Sequence, residues 1–364
     1  MIPMVDLKKQ YHNLKNEIDA AISDVLEQTH FILGPNVSAL ETDVAAYHNL
    51  SYAVGVANGT DALLLALRAC GIGAGDEVIT TPFTFIATAE VIALLGATPV
   101  FVDICPETYN LDCSRIVEKI TAKTKAIIPV HLFGHPVDMA PVMKIAAKHN
   151  LKVIEDCAQA FGAKYNGKKV GTIGDVGCFS FFPSKNLAGY GDGGMIITNN
   201  EEIAGQVKML RNHGSAKRYY HQKIGYNSRL DEIQAAIIRV KLKKIDHFNE
   251  ARRQNAASYC AAIKSKDIIL PTTASGYEHV YHQFTIRAKN RDVLAGALQK
   301  KDIASAVYYP VPLHQQEVFL NLYNISVKLP QSEKCAAAVL SLPMFPELSQ
   351  EEIRFIADVI NHAS

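Results

Sequence analysis

Apolar residues fall at helical spacing near the start of the chain: Ile18, Ile22, Val25 and Leu26, then Leu40, Val44 and Tyr47. That period predicts helices across the first 50 residues. The rhythm then changes. Short apolar runs at 53–57, 77–80, 99–102, 126–130 and 153–154 alternate with helix-length segments such as Thr60 to Cys70 and Ala140 to His149. Apolar runs of this length between helices describe a mostly parallel sheet covered on both faces. "VGCFSFF" and "GGMIITN" add two more strands. From Arg229 to about Ala262 the chain reads as one long helix, with Leu230, Ile233, Ile237 and Val240 on its apolar side. Beyond Pro271 come a strand in "YHQFTIRA", a helix from about Arg291 to Lys300, a strand near Ile303 to Val307 and a closing helix after Ser349. The expected fold class is α/β. A large domain spans 1–245, including the N-terminal helix, and a small α+β domain spans 246–364.

Length agrees with that division, since 364 residues exceed what one small core organises. Hydrophobic residues make up 48% and charged residues 20%, the balance of a soluble globular protein. With 37 basic and 36 acidic residues the net charge is +1, so no overall field draws the chain to nucleic acid or to anionic lipid. The basic run "RVKLKK" at 239–244 reads as a solvated helix face. The start lacks a signal-peptide pattern, and no window nears the roughly 20 apolar residues of a membrane span. A cytoplasmic location follows as an expectation. Seven scattered cysteines include no CxxC pair and read as small core residues. "HLFGH" (131–135) has a zinc-like spacing, but Gly134 breaks any helix there, and no metal is expected. "GIGAGDE" (71–77) follows a helix and precedes a strand, the reverse of a dinucleotide fingerprint, and reads as a helix end and turn.

Ligands of an α/β sheet gather at the carboxyl ends of its strands, and three such ends are unusually polar. In "VGVANGTDALLLAL" a strand turns through Asn58 and Gly59 into a helix opening at Thr60 and Asp61. Free N–H groups and the helix dipole suit a phosphate there, although Asn58, Thr60 or Asp61 could equally cap the helix. In "LKVIEDCAQAFGA" an apolar strand ends in Glu155 and Asp156, with Gln159 following. A buried carboxylate needs a cationic or hydrogen-bonding partner, and a pyridine nitrogen or a helix cap would each serve. In "CFSFFPSKNLAGYGDGG", Ser180 lies on a strand and Lys185 just past its end, before a glycine-rich loop. A phosphate turn, a carboxylate and a lysine converging on one crevice are the parts that hold pyridoxal 5'-phosphate, the lysine forming the Schiff base.

With those motifs in order, the sequence resembles the DegT/DnrJ/EryC1/StrS family of sugar aminotransferases over nearly the whole chain. "ANGTDAL", "TPFTFIATAE", "VIEDCAQAFGA", "FFPSKNLAGYGDGG", "GYNSRLDEIQAA" and "YYPVPLHQQ" carry the resemblance. It implies the aspartate-aminotransferase-like fold type I, pyridoxal phosphate as cofactor with pyridoxamine phosphate in the cycle, and Lys185 as the catalytic lysine. It also implies that Asp156 pairs with the ring nitrogen and Gln159 contacts the ring hydroxyl. The turn at Gly59, the backbone of Thr60 and Asp61, and Ser180 would hold the phosphate. Phe85 stands where relatives often stack an aromatic, many of them Trp, on the ring. Asn227 matches a residue that reaches the neighbouring subunit's phosphate, which implies a homodimer with shared sites. Family dehydratases carry histidine at the lysine position, so Lys185 favours amino transfer.

The resemblance further implies a nucleotide-linked keto sugar as acceptor and L-glutamate as donor. Arg229 is a fixed cation suited to a carboxylate or diphosphate, or a helix-start residue in a surface pair. "AVYYPVPLHQQ" resembles the segment bordering the sugar, with Tyr308, Tyr309 and His314 as candidate contacts or as packed loop residues. The nearest likeness is to enzymes aminating C3 of a dTDP- or UDP-linked 3-keto sugar. The uronic-acid subset often has histidine where this chain has Tyr308, so tyrosine favours a deoxyhexose without the carboxylate. C4 amination, the uronic acid, and a cofactor-binding regulator without turnover stay open as alternatives.

Overall fold

The computed structural model describes residues 1–323 and 327–363. Seven strands form the central sheet: β1 (Tyr52–Val56), β2 (Glu77–Thr80), β3 (Thr98–Phe101), β4 (Thr124–Ile127), β5 (Lys152–Asp156), β6 (Val176–Ser180) and β7 (Gly194–Thr198). Their spatial order is β1-β7-β6-β5-β4-β2-β3. All neighbours pair in parallel except at β7, which runs antiparallel to both β1 and β6.

Alternation along each strand sends side chains to two separate cores. On one face Val54, Val56, Ile154, Cys178 and Ile196 meet Leu65 and Leu67 of α3 (Gly59–Ala69, after α1, Leu7–Gln28, and α2, Pro35–His48). On the other, Phe179, Met195 and Ile197 meet Leu40 and Val44 of α2 together with Phe161 and Phe181. Helices α4 (Ala87–Leu94), α5 (Met139–His149) and α6 (Glu201–Leu210) complete the cover. The predicted strands and the helices at 60–70 and 140–149 thus appear within a few residues of their expected limits.

Two expected elements differ from the structure, and so does the solvated face expected at 239–244, where Val240 and Lys241 are buried. The single helix expected from Arg229 to Ala262 is two, α7 (Glu232–Leu242) and α8 (Ile245–Ala262), divided at Lys243 and Lys244. Neither glycine nor proline marks the break; it arises because α7 packs on α1 and α2 of the sheet domain whereas α8 packs on the C-terminal helix. The strand expected at Ile303 to Val307 is reduced to isolated bridges, Ile303 with Ile2 and Ala306 with Ser341.

The C-terminal unit builds a three-stranded antiparallel sheet from β8 (Ile268–Ile269), β9 (Phe284–Ala288) and β10 (Val339–Leu342), in that order. α9 (Arg291–Gln299), α10 (Glu317–Tyr323), α11 (Pro330–Ala338) and α12 (Gln350–Ala363) follow β9 in the chain, and Phe319 of α10 packs with Phe101 of β3 and Ala89 of α4 in the sheet domain. The core of the C-terminal unit includes Tyr259 of α8, Phe284, Ile286, Leu294 and Ile356, and Ile2 and Val5 pack against the same cluster. The N-terminal segment is tied there by backbone bonds from Ile2 N–H to Asp302 O (2.8 Å) and from Met344 N–H to Met4 O (3.1 Å). We place the divide between the domains at residues 245 and 246, with the first five residues strapped across onto the smaller one.

Close backbone contact at one strand gives a stability test. A Cβ on Gly177 of β6 would lie 2.5 Å from Gly171 Cα and 2.6 Å from Gly171 O, both backbone atoms. Gly177→Ala is expected to destabilise the protein by about 1–3 kcal/mol. Gly205, inside α6, has nothing within 4 Å of a built Cβ, so Gly205→Ala is expected to stabilise it by roughly 0.5–1 kcal/mol. Thermal unfolding followed by circular dichroism should move the two midpoints in opposite directions.

Candidate active site

Strand β5 ends in two carboxylates that the pleat sends to opposite sides. Glu155 is fully buried and accepts from His131 Nε2 (2.9 Å) and from the backbone N–H groups of Gly171, Ile173 and Gly174 (2.7–2.8 Å). Desolvation pushes its pKa up, but those donors outweigh it and hold the carboxyl below its ordinary range. His131 Nδ1 accepts from Val137 N–H (2.9 Å), so the proton sits on Nε2, facing Glu155. His131, Glu155 and Cys157 have potential ligand atoms within 4.8 Å of one another. Glu155 is already saturated by protein donors, and the group reads as a structural anchor for the 171–174 loop.

Asp156 is buried too, and its surroundings differ. Its Oδ2 accepts from the Thr88 hydroxyl (2.8 Å) and its Oδ1 from Ala158 N–H (3.1 Å). Desolvation dominates and raises its pKa, against the pull of those donors and of Lys185. A buried acid in this condition gains most from one more positive or hydrogen-bonding partner.

Lys185 stands beyond the end of the adjacent parallel strand β6, in a turn closed by its own N–H to Phe182 O (2.8 Å). Surrounding protein lowers its pKa to about 8, with Asp156 pulling the other way. A second lysine, Lys241 of α7, is depressed further, to about 7, by burial. Its Nζ lies 3.8 Å from the centre of the Tyr190 ring and has no hydrogen-bond acceptor among the described residues. Location separates them: Lys185 shares a strand-end crevice with Asp156, and Lys241 is sealed between helix and loop.

The start of α3 completes the crevice. A Cβ on Gly59 would lie 2.6 Å from Ser180 Cβ, and one on Gly194 would lie 2.3 Å from Asn58 O. Only glycine permits this approach, which sets the Ser180 hydroxyl beside the first turn of the helix. Asn58 Oδ1 caps that turn by accepting from Asp61 N–H (2.8 Å), so for Asp61 the capping alternative describes the geometry seen. The N–H groups of Gly59 and Thr60 have no protein acceptor among the described residues.

Gln159 is buried and held at both ends of its amide. Its Oε1 accepts from Phe133 N–H (2.7 Å), and its Nε2 donates to the Tyr309 hydroxyl (3.1 Å). Tyr309 therefore joins the crevice through Gln159, and its ring lies 6.4 Å from those of both Phe83 and Phe85. Phe85 is 56% exposed, an aromatic face open at the rim. Tyr308 packs in the same cluster as Phe83 and Tyr309, and burial raises its phenol above the ordinary value.

Three further sequence candidates lie elsewhere in their own chain's bonding. Asn227 is exposed, with no side-chain hydrogen bond among the described residues. Arg229 donates to Asn212 Oδ1 (3.1 Å). His314 is buried, with Nε2 3.1 Å from Glu333 Oε1. Thr88 and Phe133 N–H are hydrogen-bond partners of Asp156 and Gln159 that the motifs alone did not reveal. The i, i+4 pair Thr84 and Thr88 in "TFIATAE" was the available signal for the first.

Helix-start N–H groups without a protein acceptor, a hydroxyl, a buried acid, an amine of lowered pKa and an open aromatic face fit one class of ligand: a flat, phosphorylated, basic heteroaromatic aldehyde. No helix among the described residues is long and apolar enough to cross a membrane.

Known proteins agree with this chemistry. The profile of the DegT/DnrJ/EryC1/StrS aminotransferase family matches residues 12–361. The chain is 51% identical over 359 residues to a UDP-N-acetyl-3-dehydro-alpha-D-glucosamine 3-aminotransferase of Acidithiobacillus ferrooxidans, covering 99% of this chain and 97% of that one. It is also 51% identical over 362 residues to a "pleiotropic regulatory protein" of Geobacillus stearothermophilus, covering 99% and 97%. The crystal structure of S. venezuelae DesV in complex with ketimine intermediate superposes with a TM-score of 0.97 at 42% identity, covering 99% of this chain and 98% of that one. On these matches and on the site they accompany, the chain belongs to the DegT/DnrJ/EryC1/StrS aminotransferase family, as an enzyme of the transaminase class.

Proposed function

We propose that this protein uses pyridoxal phosphate to move the amino group of L-glutamate to C3 of a dTDP- or UDP-linked 3-keto sugar. The observation that carries the reading is the convergence of Lys185, Asp156, Ser180 and the first turn of α3 at the carboxyl ends of neighbouring strands. Gly59 and Thr60 N–H with the Ser180 hydroxyl would hold the phosphate, Asp156 the ring nitrogen, Gln159 the ring hydroxyl, and Phe85 the ring face. When bound, the cofactor supplies an aldehyde for amine capture and a protonated ring that withdraws electrons from the donor's α-carbon.

This chain's residues do the rest. Near neutral pH the lowered pKa of Lys185 leaves a useful fraction of its amine neutral, as nucleophilic attack requires. Once free, Lys185 Nζ would serve as the base for the α-proton of glutamate and hold that proton for its return. Asp156, as an acceptor, would orient the ring. Gln159, held by Phe133 N–H, keeps its amide donor toward the site and Tyr309.

The choice of C3 is supported by the name of the Acidithiobacillus relative, and the deoxyhexose by Tyr308, whose neutral phenol offers no cation to a uronate. Arg229, Tyr308, Tyr309 and His314 are the proposed sugar-nucleotide contacts, His314 acting from within the packed loop. Asn227, whose exposed side chain has no hydrogen bond among the described residues, supports a homodimer in which it serves the second copy's phosphate. A cytoplasmic location accords with a sugar-nucleotide substrate.

Incubation with L-glutamate and dTDP- or UDP-linked 3-keto and 4-keto sugars, read by mass spectrometry and NMR of the product, tests the reading. A 3-amino sugar nucleotide is expected; amination at C4 or cofactor binding without amino product would replace it with the corresponding alternative. Lys185→Ala should abolish turnover, and persistence of the wild-type rate would remove Lys185 from its role. For cofactor-free protein, the capture rate of pyridoxal phosphate should rise about tenfold per pH unit below pH 8 and level off above it. A rise continuing toward the ordinary lysine range would contradict the depressed amine.

A further inference from the structure

Asp156 is held from behind by a short chain of hydroxyl groups. Thr88 Oγ1 lies 2.8 Å from Asp156 Oδ2, and Thr84 Oγ1 lies 3.2 Å from Thr88 Oγ1. All three side chains are buried, with exposures of 1% for Thr88, 3% for Thr84 and 5% for Asp156. An ionised carboxylate only accepts, so Thr88 must spend its single hydroxyl hydrogen on Asp156. Thr84 must then donate to Thr88, and the chain has one direction.

We propose that Thr88, supported by Thr84, is a positioning residue that keeps Asp156 an ionised acceptor aimed at the cofactor ring nitrogen. This rests on the cofactor role proposed above. Among the charged and titratable groups near Asp156 are Lys185 and His131, but neither side chain donates a hydrogen bond to the Asp156 carboxylate. The hydrogen-bond donors to its carboxylate among the described residues are Thr88 on one oxygen and Ala158 N–H on the other. Both favour the ionised form, and each leaves lone pairs free on its oxygen. Without the Thr88 hydroxyl, a more basic Asp156 draws the shared proton from the ring nitrogen toward itself, and the ring withdraws electrons less strongly. The effect is on how well the ring accepts charge, and glutamate affinity should change little.

Holoprotein loaded with pyridoxal phosphate labelled with 15N in the ring provides the readout. Valine matches threonine in shape, so Thr88→Val removes the donor with little change in packing. Its ring-nitrogen resonance is expected to move from the protonated toward the neutral pyridine position. The glutamate half-reaction should slow by about tenfold while the KM for glutamate stays within about twofold. Thr88→Ser should restore both, and Thr84→Val should move the resonance the same way by less. An unmoved resonance in Thr88→Val, or failure of serine to restore it, overturns the proposal even if the rate falls. Should Thr88→Val not accumulate as folded protein, the resonance of Thr84→Val decides, and no movement there overturns the proposal. Failure of the cofactor reading itself would look different: the wild-type protein would hold no labelled cofactor at all.

Discussion

A carboxylate buried at the end of a parallel strand is the constraint on which this site depends. Asp156 has fewer protein donors than its burial calls for, and desolvation still raises its pKa despite Thr88, Ala158 and nearby Lys185. Its neighbour Glu155, one residue back and equally buried, is fully matched by His131 and three backbone N–H groups. One strand thus carries a saturated acid that holds the scaffold and an undersupplied acid that needs a ligand. The difference between them follows from the pleat, which turns one toward the 171–174 loop and the other toward the crevice.

The same economy governs the side proposed for the phosphate. Gly59 and Gly194 matter for the side chains they lack, since a Cβ at either would meet Ser180 or the Asn58 carbonyl well inside contact distance. The antiparallel strand β7, the parallel strand β6 and the helix start can therefore meet around one hydroxyl. Lys185 follows within five residues of that hydroxyl, so the sheet's order fixes the distance between anion site and amine. A lowered lysine pKa alone does not define the site, because Lys241 shares it without the acid, the anion cradle or the strand end.

Much of this was legible in the sequence, for physical reasons. Strand runs apolar on both faces, polar residues concentrated at their carboxyl ends, and a lysine between strand and glycine loop all have local signatures, and the DegT/DnrJ/EryC1/StrS motifs join them in order. The break at Lys243 and Lys244 had none, because it is imposed by two helices packing on different domains. The strap of the first residues onto the small domain depends on contacts some 300 positions away, such as Ile2 with Ile303. Asp61 and Thr88 show the same limit at the site. Whether a helix-start N–H faces a ligand or an asparagine cap, and whether a threonine faces a carboxylate, is decided by rotamers and neighbours that spacing does not record.

The central claim is that Lys185 is the amine that captures the cofactor. Borohydride reduction of holoprotein, followed by peptide mapping by mass spectrometry, tests it most directly, because reduction locks the cofactor onto whichever lysine holds it. The account predicts the added mass on the peptide containing Lys185 and its loss after treatment with L-glutamate before reduction. Label on Lys241 or another lysine, or label that glutamate leaves in place, would contradict it.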